Sequence, residues 1–251
     1  MNENGPIISV VTVAYNEEKN IERTILSVLS QDYKGIELVV VDGASTDKTL
    51  SIVKKYQDKI SDIISEKDDG IYDAMNKGVK HCQGDYVIFM NAGDVFFSDT
   101  SVSAVMDQSS GLGDLIYGGC CVTSVTGLKK IKTNPVMNVK PKKMFVCHQA
   151  MFAKRNFLLQ NPFDLKYKIA ADFDFLYKCI KSGSGESVDV IVCNVSAGGV
   201  SDVEWRDTWA EYRNIYRSYE GIYWLDSVYF FMSVRLEPVK RLLSHYMKKY
   251  L

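Results

Sequence analysis

The sequence predicts an α/β protein with a mostly parallel sheet flanked by helices. Apolar, largely β-branched runs occur at residues 7–14, 37–41 and 85–90, as expected of strands buried on both faces. Polar turns and segments of helical periodicity separate these runs. Repeated strand–helix units of this kind are typical of a doubly wound sheet, which binds its ligands beyond the carboxyl ends of the strands.

Strands and helices alternate along the first hundred residues. In order they are predicted as strand 7–14, helix 21–29, strand 37–41, helix 46–56, a short strand at 63–64, helix 72–82 and strand 85–90. Asn20 and Ser45 are suitable N-caps for the first two helices, because their side-chain oxygens can accept hydrogen bonds from free backbone N–H groups.

The pattern is less regular after residue 114. The predicted elements there are strands at 115–117, 121–125, 129–133 and 150–152, a helix at 171–181 ended by Ser182-Gly183, and a strand at 188–193. We find no internal repeat and no low-complexity linker, and one large domain, or one and a small appendage, is expected.

Composition and motifs exclude several classes of protein. The 251 residues carry 30 basic and 31 acidic side chains, so no general basic surface argues for binding nucleic acid. No GxGxxG or GxxxxGK[ST] follows a predicted strand, which argues against a Rossmann dehydrogenase or a P-loop NTPase. Six cysteines without CxxC spacing favour reduced thiols and a cytoplasmic location. Neither a signal peptide nor a transmembrane run is expected.

Polar clusters follow three of the predicted strands: Asn16-Glu17, Asp42, and the segment Asn91 to Asp94. These clusters should converge at one edge of the sheet. Carboxylates that face a polyphosphate repel it unless a divalent cation lies between them, and Asp94 suits a ligand of Mg²⁺ or Mn²⁺. From these residues alone, a simple capped turn at 91–94 is an equally good interpretation.

Four long motifs stand in order before residue 95: VTVAYNEEKNIERTILSVLSQDY, ELVVVDGASTDKT, DDGIYDAMNKGV and GDYVIFMNAGD. They resemble the successive signatures of family 2 glycosyltransferases of the GT-A fold, such as those that build bacterial O-antigen and capsule polysaccharides. The run KYKIAADFDFLYKCIKSG extends the resemblance to residues 166–183. The resemblance implies a Rossmann-like GT-A catalytic domain over residues 1–204. Its nucleotide-sugar-binding half would be 1–100 and its acceptor-binding half 101–204.

The same resemblance implies roles for individual residues on the donor side. Tyr15 and Glu17 would border the nucleotide base, and Asp42 would accept a hydrogen bond from the base or the ribose. Asn76 would lie near the donor, a nucleotide-sugar expected to be a UDP-sugar. Asp94 matches the final aspartate of the DxD motif and would ligate Mn²⁺ or Mg²⁺.

Two positions depart from the family pattern. Asn91 stands where a first aspartate is common in the DxD motif, which lowers the local negative charge. Ala171 replaces the glutamate of the acidic pair that supplies the general base, so Asp172 is the candidate base of an inverting, single-displacement transfer. Asp174 is its competitor, and on a helix the two side chains point about 200° apart, so only one should face the cleft.

His148 and Gln149 follow a strand-like segment. They could touch the acceptor or the diphosphate, but a lone histidine is more often structural, and we favour that interpretation for His148.

The segment 205–251 is predicted to be a helical tail. Residues 232–251 carry a local charge of +4, and Leu236, Val239, Leu243, Tyr246 and Tyr250 recur at helical spacing. A helix packed on the core with a solvated basic face explains this pattern as well as membrane contact does. Membrane contact would suit a peripheral enzyme on the inner face of the cell membrane, with a lipid-linked saccharide as acceptor.

Two alternative functions stay open at this level. A nucleotidyltransferase also places acidic metal ligands in an α/β sheet, although the basic glycine-rich loop expected of that class is missing. A catalytically silent sugar- or nucleotide-binding module is compatible with Asn91 and Ala171.

Overall fold

A single sheet organises the computed structural model, which describes residues 5–124, 127–132, 140–221 and 224–250. In chain order its strands are β1 (Ile8–Ala14), β2 (Ile36–Asp42), β3 (Asp62–Ser65), β4 (Tyr86–Phe89), β5 (Val95–Phe96), β6 (Leu115–Thr123), β7 (Lys129–Lys132), β8 (Met151–Lys154) and β9 (Gly185–Ser196). The helices are α1 (Ile21–Leu29), α2 (Thr49–Lys54), α3 (Ile71–His81), α4 (Ser101–Gln108), α5 (Arg155–Gln160), α6 (Ala171–Ser182), α7 (Val200–Val203), α8 (Trp205–Glu220) and α9 (Trp224–Tyr250).

The two halves of the sheet differ in strand direction. The strands lie in the order β3-β2-β1-β4-β8-β6-β9-β5, and β7 pairs with β6. The first four strands are all parallel, with Ala14 opposite Asp42 at the carboxyl ends of β1 and β2. Beyond β4 the sheet is mixed, because β8 is antiparallel to both β4 and β6. The predicted α/β class, with helices flanking the sheet and helices at the C-terminus, is confirmed.

The central strands are buried on both faces. Alternate side chains of β1 enter two different cores: Val11 and Val13 pack on the side of α3, and Ile8 and Val10 pack on the side of α1. All seven residues of β1 are buried. This double burial explains the continuous apolar run in the sequence.

Ser45, expected to cap the second helix, binds a neighbouring loop instead, whereas Asp47 binds both that loop and the start of the helix, where Thr49 N donates to its Oδ1 at 2.9 Å. Ser45 Oγ accepts a hydrogen bond from Asn16 N at 2.9 Å, and Asp47 Oδ2 accepts one from Glu18 N at 3.1 Å. The helix predicted over residues 46–56 is therefore shorter, Thr49–Lys54. Asn20 does occupy the N-cap position of α1, but its side chain donates to Glu17 and not to the helix backbone.

Several elements differ from the sequence-based prediction because tertiary pairing defines them. The two strands expected at 115–117 and 121–125 are one strand, β6, whose pairing with β9 shifts register around Gly119. Strand β5 and helices α4 and α5 were not predicted. The helix at 171–181 was predicted nearly to the residue, and it ends at Gly183 with φ 72°. That left-handed conformation favours glycine.

Helix α8 packs on α6 through aromatic rings, and α9 packs on α8 in the same way. Tyr219 of α8 stacks on Tyr177 of α6 with ring centroids 4.8 Å apart, and Tyr212 meets Phe173 at 4.6 Å. Phe230 of α9 is buried against Trp209 and Tyr216. None of the helices in the described ranges is both long and apolar enough to cross a bilayer. The side chains of residues 239–250, on which much of the predicted basic face depends, lie outside the described residues.

A substitution at Gly78 tests how closely α3 packs on the sheet. A Cβ placed there would lie 2.5 Å from Val11 Cγ1 and 3.2 Å from Val41 Cγ2. Replacing Gly78 by alanine improves helix propensity by up to about 1 kcal/mol, but overpacking a core typically costs ~1–3 kcal/mol. We expect Gly78→Ala to lower the free energy of unfolding in urea titrations. Lys80→Ala, an exposed change on the same helix, is the control. A Gly78→Ala protein more stable than the wild type would contradict this packing.

Candidate active site

The loops after β1 and β2 are joined by hydrogen bonds at the carboxyl edge of the sheet. Asn16, at φ 54°, accepts a hydrogen bond from Thr46 N through Oδ1 at 2.9 Å. Glu17 N donates to Thr49 Oγ1 at 2.7 Å, and the Glu17 carboxylate accepts from Asn20 at 2.7 Å. These hydrogen bonds join the loops after β1 and β2, which carry two of the predicted donor-side clusters.

Asp42 and Tyr15 lie on either side of a glycine. Asp42 is fully buried, and its carboxylate accepts hydrogen bonds from Ser65 Oγ at 2.7 Å and from Ser45 N. Tyr15 is 62% exposed, and its ring lies beside Gly43. The carboxylate of Asp68 approaches Gly43 so closely that a Cβ there would lie 2.5 Å from Asp68 Oδ2. An exposed ring and two carboxylates thus surround the end of β2.

Helix α1 holds the turn from Asn91 to Asp94. Thr24 Oγ1 donates to Asp94 O at 2.8 Å and accepts from Gly93 N at 2.9 Å, and Arg23 donates to Gly93 O. The turn is closed by a hydrogen bond from Asp94 N to Asn91 O at 2.9 Å. With Gly93 at φ 105°, the chain reverses and both polar side chains stay at the edge of the sheet.

The carboxylate of Asp94 is partly buried and accepts a hydrogen bond from Gln149. Gln149 Nε2 donates to Asp94 Oδ2 at 2.8 Å. Burial raises the pKa of Asp94 above its ordinary value, and the hydrogen bonds from Gln149 and the Ser196 backbone, together with the nearby charge of Arg23, oppose that rise. A buried carboxylate of this kind favours a cation beside it.

His148 bridges the Asn91 turn and Asp172. Its Nε2 lies 3.1 Å from Asn91 Nδ2, and its Nδ1 lies 3.3 Å from Asp172 Oδ2. Because an amide nitrogen only donates, Nε2 is the acceptor, and the ring carries its proton on Nδ1, facing the carboxylate. His148 thus belongs to the polar network of this edge, and both of its ring nitrogens have partners there.

Asp172 lies in the first turn of α6 and has a full set of donors. Its Oδ1 accepts from Phe173 N at 2.9 Å. The one proton of the Tyr72 hydroxyl is shared between Ile169 O at 2.7 Å and Asp172 Oδ1 at 3.2 Å. Burial and the adjacent Asp172 carboxylate raise the pKa of Tyr72 well above its ordinary value, so Tyr72 acts as a neutral donor. Asp174 points elsewhere, toward Lys178 at 3.0 Å and Tyr219 at 3.1 Å. The two acids diverge as their helical spacing predicts.

Helix α8 satisfies the backbone that leads into α6. The carboxylate of Glu211 accepts hydrogen bonds from three consecutive backbone N–H groups, those of Lys168 at 2.8 Å, Ile169 at 3.0 Å and Ala170 at 2.8 Å. A negative charge at the start of a helix also interacts favourably with its dipole. Asp172, two residues further on, is positioned by this contact.

Asn76 binds a distant stretch of backbone. Its Nδ2 donates to Phe163 O at 2.9 Å and its Oδ1 accepts from Phe163 N at 3.0 Å. Because both ends of the amide bind this backbone, Asn76 anchors the segment before α6, and its place near the donor stays a prediction.

The turn at 91–94 offers oxygen atoms that suit a hard divalent cation. Asn91 Oδ1 is buried and has no hydrogen-bond partner among the described residues. Together with the carboxylate of Asp94 it makes a sparse oxygen set, and no group of three or more His, Cys, Asp or Glu side chains in the described ranges could hold a metal ion. Mg²⁺ typically takes one or two carboxylates and completes its shell with phosphate and water. The residues present fit that mode of binding.

Asp68, His148 and Gln149 also lie at this edge, although the sequence did not single them out as site residues. Asp68 follows β3 as the other polar clusters follow their strands, so the same rule applied to the third strand would have identified it. No local signal marks His148 or Gln149, because their partners Asn91, Asp94 and Asp172 are distant in the sequence.

Glu211 provides a test of how α6 is held. Removing a carboxylate that serves three backbone N–H groups should lower the free energy of unfolding by about 2 kcal/mol, and Glu211→Gln should cost less because the amide oxygen still accepts. Urea titrations of Glu211→Ala and Glu211→Gln measure this order. Asn214→Ala, an exposed change on the same helix, is the control. Equal stability of Glu211→Ala and the control would contradict the contact.

The sequence matches a known family and named relatives. The model for glycosyl transferase family 2 matches residues 9–160. A PGL/p-HBAD biosynthesis glycosyltransferase of Mycobacterium bovis is 31% identical over 185 residues, which cover 71% of each chain. An uncharacterized glycosyltransferase of Mycobacterium tuberculosis is 29% identical over 202 residues, 78% of this chain and 77% of that protein.

Solved structures show the same fold at low sequence identity. Staphylococcus aureus TarS 1–349 in complex with UDP has a TM-score of 0.60 at 21% identity and matches 84% of this chain. The Pyrobaculum calidifontis mannosyltransferase PcManGT, in complex with GDP-Man and Mn²⁺, has a TM-score of 0.65 at 19% identity and matches 86%. The chain spans 64% of the length of each of these two structures. The fold is that of the GT-A glycosyltransferases, and the chain belongs to glycosyl transferase family 2.

Proposed function

We propose that this glycosyltransferase inverts the anomeric centre as it moves a sugar from a nucleotide-sugar, in particular a UDP-sugar, to a hydroxyl group. The observation that carries the proposal is the link between Asp94 and Asp172 at one edge of the sheet. The neighbouring residues Gln149 and His148 bind these two carboxylates, at 2.8 Å and 3.3 Å respectively. Asp94, which is proposed to lie beside the diphosphate, and Asp172, the candidate base, are thereby linked through two consecutive residues.

The donor is proposed to bind over the ends of β1 and β2. Tyr15 and Glu17 would border the base, and Asp42 would accept a hydrogen bond from the base or ribose after a shift of Ser65 or Ser45. Asp68, beside Gly43, adds an acceptor for ribose hydroxyls. The solved relatives that bind UDP or GDP-Man support this class of ligand.

In the proposed reaction Asp172 acts as the general base. It removes the proton of the acceptor hydroxyl as that oxygen attacks the anomeric carbon, and the bond from this carbon to the diphosphate oxygen breaks with its electron pair on the leaving group. Attack from the opposite side inverts the configuration. His148 and Tyr72 hold the carboxylate in place, which matches the need for a preorganised base.

Asp94 and Asn91 Oδ1 would hold the divalent ion, Mn²⁺ or Mg²⁺. When bound, such a cation supplies positive charge against the diphosphate of the donor. Gln149 fixes the carboxylate of Asp94 through the hydrogen bond to its Oδ2.

The acceptor is proposed to be a lipid-linked saccharide of bacterial surface polysaccharide synthesis, on the cytoplasmic face of the membrane. Residues 1–100 would form the donor half, 101–204 the acceptor half and 205–251 the segment that meets the membrane. The local charge of +4 over residues 232–251 supports this arrangement.

A screen of nucleotide-sugars tests the proposed donor. The purified chain is incubated with Mn²⁺ and UDP- or GDP-linked sugars, with and without lipid-diphosphate saccharides, and release of nucleoside diphosphate is measured. We expect release with one UDP-sugar, stimulated by a lipid-linked acceptor. Release from GDP-sugars alone would overturn the UDP assignment, and stimulation by free saccharides alone would overturn the lipid-linked acceptor.

Asp172 and Asp174 are distinguished by a matched pair of variants. General-base catalysis typically contributes ~10²–10⁴-fold, so Asp172→Asn should lose turnover by that factor and still bind donor. Asp174→Asn breaks a buried ion pair, which should cost about 3 kcal/mol of stability, and it should keep turnover at temperatures where it is folded. Initial rates and donor titrations measure both. Near-normal turnover of Asp172→Asn would refute its role as base.

The variant Asp94→Asn tests whether Asp94 holds the proposed divalent ion. Saturating Mn²⁺ and UDP should stabilise the wild type by about 2.7 kcal/mol at a hundredfold excess over Kd. We expect that shift to disappear in Asp94→Asn, which by itself should be at least as stable as the wild type because burial already disfavours the charge of Asp94. Thermal unfolding with and without ligand measures both effects. Asp73→Asn, away from the turn, is the control, and an undiminished ligand shift in Asp94→Asn would contradict the site.

A further inference from the structure

A cavity of about 680 Å³ lies between α8 and α9, apart from the edge that carries Asp94 and Asp172. Its floor is apolar, with Trp209 and Ala210 of α8 facing Val228, Phe230 and Phe231 of α9. Phe231 is 56% exposed and Val228 47% exposed. Large apolar side chains left open to solvent beside a cavity of this size indicate a binding site.

Three arginines line the same cavity, and no acidic residue does. They are Arg206 and Arg213 of α8 and Arg235 of α9. Among the described residues none of the three forms a salt bridge. The guanidinium of Arg235 lies over the Phe231 ring, 4.7 Å from its centroid, so its donors stay free at the side of the cavity. An arginine fork binds phosphate oxygens in a bidentate manner.

Two acidic side chains of α8 and α9 are engaged elsewhere. Asp226, at the start of α9, binds Lys142 at 2.6 Å, and Glu211 of α8 is occupied by the backbone before α6. The positive charge of the cavity is therefore not neutralised by these neighbours.

We propose that this cavity, the α8–α9 groove, binds an anionic phospholipid of a bilayer. The hydrocarbon chain would lie against Trp209, Phe230 and Phe231, and the lipid phosphate would bind Arg206, Arg213 and Arg235. A nucleic acid or an acidic peptide would satisfy the arginines but would not fill an apolar floor. A second copy of the chain is disfavoured, because a symmetric contact would bring arginines against arginines.

The groove is connected to the proposed acceptor side. The ring of Trp209 lies 5.9 Å from that of Tyr212, which lies 4.6 Å from Phe173, the neighbour of Asp172. A bilayer bound there would bring a lipid-linked acceptor toward Asp172. That consequence rests on the proposed function, whereas lipid binding itself is measured without turnover.

The experiment is co-sedimentation of the full chain with phosphatidylcholine vesicles, with and without phosphatidylglycerol. The wild type should bind only the anionic vesicles. The triple variant R206Q/R213Q/R235Q should lose binding by at least about tenfold, given roughly fivefold per basic residue near an anionic surface. The variant K34Q/K54Q/K80Q, with the same change of charge on other exposed faces, should change binding by no more than about twofold.

A second pair of variants separates the groove from general charge attraction. Ala210→Gln fills the groove with a polar side chain without a change of charge and should weaken vesicle binding by at least about fivefold, whereas Ala210→Ser should bind as the wild type does. Circular dichroism confirms that each variant is folded. Because nothing here requires catalysis, a failed donor screen leaves this result intact.

Five outcomes would overturn the proposal. They are equal binding to neutral vesicles, equal losses in the two triple variants, unchanged binding of Ala210→Gln, full displacement by millimolar glycerol phosphate, and no vesicle binding by the wild type. Displacement by glycerol phosphate would indicate a site for the phosphate group alone. A dimer that Ala210→Gln dissociates, in a wild type that binds no vesicles, would assign the groove to a second copy.

Discussion

Burial of both faces of the central parallel strands is the constraint on which the rest of the structure depends. The side chains of β1 and β2 alternate between two cores, so the polar groups that this region needs for chemistry are concentrated where the strands end. Asn16, Asp42 and Asn91 all stand at such ends. Polar groups inside the strands would need buried partners or would cost stability. The arrangement of the strands is therefore enough to place the site at one edge of the sheet.

At that edge the geometry depends on one short turn. His148 and Gln149 are consecutive, and they contact the two carboxylates that the proposed chemistry needs, Asp172 and Asp94. A displacement of this turn would move both contacts together. Asn91 gains a role in the same network, because it donates to His148 and so sets the tautomer that presents a proton to Asp172. An aspartate at 91 could not donate in this way, which gives the departure from the DxD pattern a physical consequence.

Helix α8 contributes to this arrangement from outside the region that the family model matches. One side of it carries Glu211, which fixes the entry to α6, and the ring contacts of Tyr212 and Tyr219. Residues of its other side line the α8–α9 groove. The same helix thus supports the position of Asp172 and forms the surface at which we propose lipid to bind. Its role at the candidate site is structural whether or not the groove has a ligand.

The sequence by itself determined the α/β class, the parallel strands of the first half and the polar clusters after them, because these follow from local periodicity and from the rule for strand ends. It also separated Asp172 from Asp174, since helical spacing is a local property. Only the tertiary structure decided which polar side chains already have hydrogen-bond partners within the protein. Asn76 is engaged by Phe163, 87 residues away, and His148 finds Asn91 57 residues away. Hydrogen bonds between residues so far apart leave no pattern in the sequence, because any chain segment of suitable length can bring the partners together.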